Sequence, residues 1–239
     1  MASMIAVGFD FDHTLGLDNK LERTVALDML AELAREHGIT YDVALAQSAI
    51  DDTLVSYRAA RVTVEAGIAG FFDRFAPAGS ATLDRASDFR ERVVERAPEF
   101  VRARPETAAM LAALDALGVR YALLTNGWSP LQEEKARLIG FEGSVFVSER
   151  IGVRKPAREA FDVLANALDV PLASLWYVGD DAAADVAGPA AFGVTTVWYA
   201  EDGAMYPQEL AAPAYTIRSL AEIPGLLQGP LSKVAKPLE

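Results

Sequence analysis

The spacing of apolar residues changes character along the chain. Met4-Ile5-Ala6-Val7-Gly8-Phe9 is a continuous apolar run of strand type, and it leads straight into Asp10-Phe11-Asp12-His13-Thr14-Leu15. From about Asp18 to about Pro98 the spacing is helical, with no convincing strand. Leu21, Val25, Met29 and Leu33 recur every fourth residue and stop at His37-Gly38. Val43, Ala46, Ile50, Leu54 and Tyr57 form the next stripe, with Thr40 read as its cap, and Val64, Ile68, Phe71, Phe72 and Phe75 form a third before Pro77. A fourth helix is expected over 82–97.

From Arg104 the pattern alternates between helix and strand. Pro105 opens a helix that Gly118 closes, 119–124 reads as a strand, and a helix from about Pro130 stops at Gly140. Short strands are expected over 145–147, 175–178 and 194–198 and near Tyr215, with a helix after Lys155-Pro156 to about Leu168. Such alternation is the signature of a parallel sheet with helices on both faces. The first strand has no other sheet to join, so the helical block is an insertion. The expected architecture is α/β: a Rossmann-like core from 1–17 and 99–239, and an all-helical domain over 18–98.

Composition narrows the functional classes. The chain has 239 residues with 51% hydrophobic content, enough for a sizeable core. Its 22 basic and 34 acidic residues leave a net charge of -12, which repels nucleic-acid backbones and anionic membranes. The arginines lie among acidic residues, as in Arg90-Glu91-Arg92, and form no basic patch. With no cysteine, disulfides, zinc-thiolate sites and thiol catalysis are excluded. No apolar run reaches the ~20 residues of a membrane span. Met1-Ala2-Ser3 carries neither a basic nor a long apolar leader, so a cytoplasmic location is expected. The tail after Gly229 is expected to be loosely held.

Four polar clusters stand where predicted strands end: Asp10 with Asp12, Thr125-Asn126, Lys155, and Asp180-Asp181 with Asp185. Alternate residues of a strand share a face, so Asp10 and Asp12 would point together; Asp and Thr are also ordinary turn residues, and the pair alone has that plainer reading. Ligand sites of open parallel sheets form beyond the carboxyl ends of the strands, where strand order reverses, and one such site would gather all four clusters. Several adjacent carboxylates require a cation, and an all-oxygen ligand set suits Mg2+. With Lys155, a hydroxyl and backbone N–H donors alongside, such a site fits a phosphoryl group.

Asp10-Phe11-Asp12-His13-Thr14, Thr125-Asn126-Gly127, Lys155-Pro156 and Gly179-Asp180-Asp181-Ala182-Ala183-Ala184-Asp185 resemble, in order, the four motifs of the haloacid dehalogenase superfamily of hydrolases. Gln132, Lys135, Gly140-Phe141, Ser148-Glu149 and Gly152 further resemble the subfamily whose helical cap lies between the first two motifs, as do Tyr215 to Pro224 at the other end. The resemblance implies that Asp10 attacks phosphorus and that Asp12 protonates the leaving oxygen and then activates water. It implies Mg2+ on Asp10, the Asp12 backbone carbonyl and Asp180, with Asp185 behind the metal. Thr125, the Asn126 backbone N–H and Lys155 would hold the phosphoryl oxygens. Dehalogenases of the family attack carbon and lack the second aspartate, so Asp12 favours phosphate chemistry.

The activity implied is a Mg2+-dependent phosphatase acting on a small phosphorylated metabolite, with the cap closing over the substrate. A phosphotransferase of the sugar-phosphate mutase type shares every core residue, and a non-catalytic sensor of a phosphorylated ligand is a third reading. Trp128 and His13 are candidates for substrate contact; each has an alternative, packing for Trp128 and structural hydrogen bonding for His13. His13 stands where glycine is frequent in the family, and Asp181 where serine is frequent. Phe71, Phe72 and Phe75 read as cap core or as pocket lining, and Arg58, Arg61 and Arg74 as surface-paired or substrate-facing. Oligomeric state has no signal in the sequence.

Overall fold

The computed structural model describes residues 5–76 and 82–234. Strand β1 (Ala6–Phe9) and the short β2 (Gly16–Leu17) precede four helices, α1 (Leu21–His37), α2 (Val43–Arg58), α3 (Val64–Asp73) and α4 (Thr82–Phe100). Then follow β3 (Arg102–Ala103), α5 (Thr107–Ala116), β4 (Arg120–Thr125), α6 (Leu131–Leu138), β5 (Ser144–Val147), α7 (Ser148–Ile151) and α8 (Arg158–Ala167). The chain closes with β6 (Leu175–Gly179), a π-helical turn (Ala182–Ala187), α9 (Gly188–Ala190), β7 (Thr195–Tyr199), β8 (Tyr215–Ile217) and α10 (Ile223–Val234). It divides into two compact units, Met1–Leu17 with Arg102–Glu239, and Asp18–Val101.

In the first unit six strands form one sheet in the order β5-β4-β1-β6-β7-β8, every neighbouring pair parallel. The chain adds β4 and β5 on one side of β1, then crosses back through α8 to place β6, β7 and β8 on the other. Strand order therefore reverses at β1, and the carboxyl ends of β4, β1 and β6 lie side by side. Ala6, Ala122, Leu124, Leu175 and Tyr177 share one sheet face and are buried with Ala160, Phe161, Leu164 and Leu168 of the α8 segment. Val7, Phe9, Leu123 and Val178, of the opposite parity, are buried too. That is why these strands read as unbroken apolar runs rather than alternating ones.

The second unit is helical. Gly38 closes α1 in the left-handed conformation (φ 62°), as a glycine stop requires. Asp42, not Thr40, caps α2: its carboxylate accepts the N–H groups of Ala44 at 2.8 Å and Leu45 at 3.1 Å. Ala46, Ile50, Leu54, Val64, Ile68, Phe71 and Phe72 are buried, whereas Val43 is 58% exposed. Phe71 lies with its ring centroid 5.3 Å from Phe72 and 5.5 Å from Phe75, one aromatic cluster of this unit.

β1 ends at Phe9 as expected, and the Phe11 carbonyl accepts the N–H groups of Thr14, Leu15 and Gly16 in a turn that contains Asp12. The structure departs from the expected elements in two places. The antiparallel pair β2–β3 has two residues in each strand, too short for any periodic signal. The segment after Gly229, expected to be loose, continues as helix to Val234; the residues after it, like Pro77 and Met1 to Met4, lie outside the described ones. Among the described residues no helix is long and apolar enough to cross a membrane.

Phe161, fully buried, meets Tyr177 edge-on at a centroid distance of 5.1 Å, so it joins the sheet core to the residue beneath the site described next. Phe161→Ala is expected to cost about 3–5 kcal/mol of stability, measured by urea or guanidinium melts, because the cavity it leaves cannot fully collapse.

Candidate active site

Lys155 sits at the centre of the sheet's carboxyl edge. Its ammonium donates to Asp10 Oδ1 at 2.6 Å, Asp185 Oδ1 at 2.7 Å and the Tyr177 hydroxyl at 2.9 Å, so its three N–H groups are all used. The Tyr177 hydroxyl in turn donates a hydrogen bond to the Leu124 carbonyl at 2.6 Å. The Lys155 backbone is fixed by the Asn126 amide, whose Oδ1 accepts the Lys155 N–H and whose Nδ2 donates to the Lys155 carbonyl, both at 2.9 Å. Asn126 thus positions the lysine with its side chain, next to the buried Thr125 at the end of β4.

Asp10 follows β1 directly and is tied to β6 by its N–H, which donates to the Val178 carbonyl at 2.9 Å. Asp180 follows β6; its Oδ1 accepts the Thr14 hydroxyl at 3.2 Å and its carbonyl accepts the Trp198 indole N–H at 2.8 Å. Asp185 reaches back from the π-helical turn, and its Oδ2 accepts the Asp181 N–H at 3.1 Å. A glycine is needed at 179 for this packing, since a Cβ there would fall 2.2 Å from Asp185 Oδ2. Asp181, where serine is frequent in the resembled motif, acts as a helix cap: its Oδ1 accepts the N–H groups of Ala183 and Ala184 at 2.8 Å. Serine and aspartate are interchangeable in that task.

One oxygen each from Asp10, Asp180 and Asp185 lies within 4.8 Å of the others. Three carboxylates face one ammonium, a deficit of positive charge in a buried place. Burial pushes Asp10 up to about 7, with Asp185 and Asp12 adding to it and Lys155 opposing. Burial and then repulsion by Asp10 push Asp180 up to about 7, and burial pushes Asp185 up to about 6 against the pull of Lys155. Burial works against the charge of Lys155, but Asp10 and Asp185 outweigh it and hold its pKa well above the ordinary value. The oxygen-only donor set and the missing positive charge both suit a hard divalent cation.

Asp12 adds to the charge around Asp10 but has partners of its own. The turn at Phe11 sends its carboxylate to α6, where Lys135 Nζ donates to Oδ1 at 2.9 Å and Gln132 Nε2 donates to Oδ2 at 3.1 Å. Asp12 is close enough to help raise Asp10, and each of the two carboxylates has its own cationic partner. His13 has φ 64°, a left-handed conformation that accounts for the glycine frequent at this place. Its imidazole is exposed, with Nδ1 3.4 Å from Glu201, and its carbonyl accepts Arg104 Nε at 3.0 Å. Trp128, read as a substrate contact or as packing, is enclosed by protein at 1% exposed.

Tyr177, Arg104 and Glu201 had no motif to mark them, and the strand alternation that aims Tyr177 at Lys155 was the one signal available for it. Arg104 also pairs with Glu201 and lies 4.6 Å over the Tyr199 ring. These contacts brace the loop that carries Asp12 and His13.

A family model described as haloacid dehalogenase-like hydrolase matches residues 4–193. The chain belongs to the haloacid dehalogenase-like hydrolases. Its relatives include a phosphoserine phosphatase of Thermus thermophilus, 34% identical over 151 residues that make up 59% of this chain and 60% of that one. Another is the pyrimidine 5'-nucleotidase YjjG of Escherichia coli, 29% identical over 57% of this chain and 62% of that one. The chain thus aligns with about three fifths of the length of these curated relatives. Among solved structures, a 2-haloacid dehalogenase from Pseudomonas syringae superposes with a TM-score of 0.72 at 20% identity, over 95% of this chain and 99% of that one. At that identity the likeness is one of fold, and phosphate and carbon–halogen chemistry share it within the haloacid dehalogenase-like hydrolases.

The raised carboxylates set the sign of a pH effect. Between the ordinary carboxylate value of about 4 and the folded values of about 6 to about 7, the folded chain holds protons that the unfolded chain has lost. Stability therefore falls as pH rises through that window. In the presence of a chelator the thermal midpoint should drop between about pH 5 and about pH 8, and an added divalent cation should raise it more at the higher pH. Asp180→Asn should remove most of the cation's effect.

Proposed function

We propose that this chain is a Mg2+-dependent phosphatase of small phosphorylated metabolites, working through an aspartyl-phosphate on Asp10. The observation that carries the reading is Asp12: a second carboxylate, two residues after Asp10, held by its own partners and with its side chain 32% exposed. A site that displaces halide from carbon needs one carboxylate nucleophile; a phosphatase needs a nucleophile and a proton carrier.

Asp10 attacks phosphorus in line, forming the Asp10 O–P bond as the ester P–O bond breaks, while Asp12 gives its proton to the departing alcohol oxygen. Asp12, now ionised, takes a proton from water, whose oxygen attacks the same phosphorus and releases inorganic phosphate from Asp10. Lys155 offsets the charge of Asp10 and, with Thr125 and the Asn126 N–H, faces the phosphoryl oxygens. Tyr177 and Asn126 keep Lys155 in place. Asp10, Asp180 and the Asp12 carbonyl would hold Mg2+, with Asp185 behind them, and the ion would supply neutralisation of the phosphoryl charge. The helical unit Asp18–Val101 is read as the cap that selects the substrate.

The names of the relatives support small phosphate monoesters, among them an amino-acid phosphate and pyrimidine 5'-nucleotides, as the class to test. Phosphate release from such a panel with Mg2+ is expected for the native chain and is expected to fall by on the order of 10³-fold or more in Asp10→Asn. Unchanged turnover in that variant would sink the mechanism. Label passing from Asp10 to an added sugar phosphate faster than to water would replace the phosphatase with a phosphotransferase.

A further inference from the structure

Lys135 is buried, 1% exposed, on the eight-residue helix α6 beside the buried Leu131, Gln132 and Ala136. An ammonium in such a place is costly unless it is paired, and Asp12 supplies the pair at 2.9 Å. Gln132, 4% exposed and one turn earlier on the same face of α6, takes the other oxygen at 3.1 Å. The amide has its seat because residue 127 is glycine: a Cβ there would lie 2.6 Å from Gln132 Nε2. With Nε2 turned to Asp12, Gln132 Oε1 is buried without a hydrogen-bond partner.

We propose that Lys135 and Gln132 are positioning residues for Asp12, fixing both carboxylate oxygens so that its proton is delivered along one line to the leaving alcohol. The inference rests on the phosphatase reading above. Both residues hang from α6, which begins a few residues after Thr125, so one strand–helix unit sets a phosphate-facing hydroxyl and the orientation of the acid together. Lys155 serves Asp10 and Asp185 in the same way, and the two lysines keep nucleophile and proton carrier on separate counter-charges.

The leaving group tests this. A primary alkyl phosphate needs protonation of its departing oxygen, whereas 2,4-dinitrophenyl phosphate does not. With enzyme in excess over substrate and Mg2+ present, release of the alcohol or phenolate is followed in the first turnover, before water attacks Asp10. Lys135→Met, which keeps length and removes charge, is expected to slow alcohol release by roughly 10- to 100-fold and dinitrophenolate release by less than about threefold, within the range of general-acid effects. Gln132→Met should act in the same sense and more weakly, and it carries the test if Lys135→Met does not fold. Equal slowing of both esters, or of neither, would overturn the positioning role while leaving the phosphatase intact. Release of neither group by the native chain would remove the phosphatase reading itself.

Discussion

One ammonium group organises the carboxyl edge of the sheet. Lys155 ties the end of β1 through Asp10, the face of β6 through Tyr177 and the π-helical turn through Asp185. Buried ion pairs add little net stability over apolar packing, so the value of this one lies in what it fixes. With Lys155 in place the three contacts are mutually determined; without it, two buried carboxylates would face each other with no intervening charge. The clamp of Asn126 on the Lys155 backbone and the path from Tyr177 to the Leu124 carbonyl hold that ammonium from two further directions.

The site is also deliberately short of positive charge. A second lysine near Asp10 would have relieved the carboxylates and left no demand for a cation. Lys135 is instead spent on Asp12, on the far side of the turn at Phe11. Two buried lysines each hold their own aspartate, which suits the proposed division between attack and proton transfer, and what remains uncompensated is the group formed with Asp180.

Most of the sheet was legible because its strands are buried on both faces and therefore read as apolar runs, each ended by glycine or a polar cluster. Asp10 and Asp180 were legible for the same reason, standing where those runs stop, whereas Lys155, beyond α7, and Asp185, in the π-helical turn, were marked by the motifs they resemble. What escaped notice depended on turns rather than periods. The three N–H groups gathered by the Phe11 carbonyl decide where Asp12 points, and no spacing rule contains that. Asp42 in place of Thr40 is a matter of which of two good caps reaches the free N–H groups. Trp128, after its motif, left ligand contact and packing equally open, and its side chain is enclosed. The two-residue strands β2 and β3 were invisible because pairing, not composition, defines them.

That small pair has a consequence for how such a chain varies. Gly16 pairs with Ala103 and Leu17 with Arg102, so the points where the chain leaves the sheet unit and re-enters it are hydrogen-bonded neighbours. To the sheet, everything from Asp18 to Val101 is a loop whose ends are already closed. The closure entropy of a loop grows only logarithmically, by about 0.6 kcal/mol for each doubling of length. The helical unit can therefore be lengthened, shortened or exchanged with little thermodynamic effect on the register of β1, β4 and β6. Residues 18–101 can thus vary freely in length and content while the strand ends at β1, β4 and β6 stay where they are.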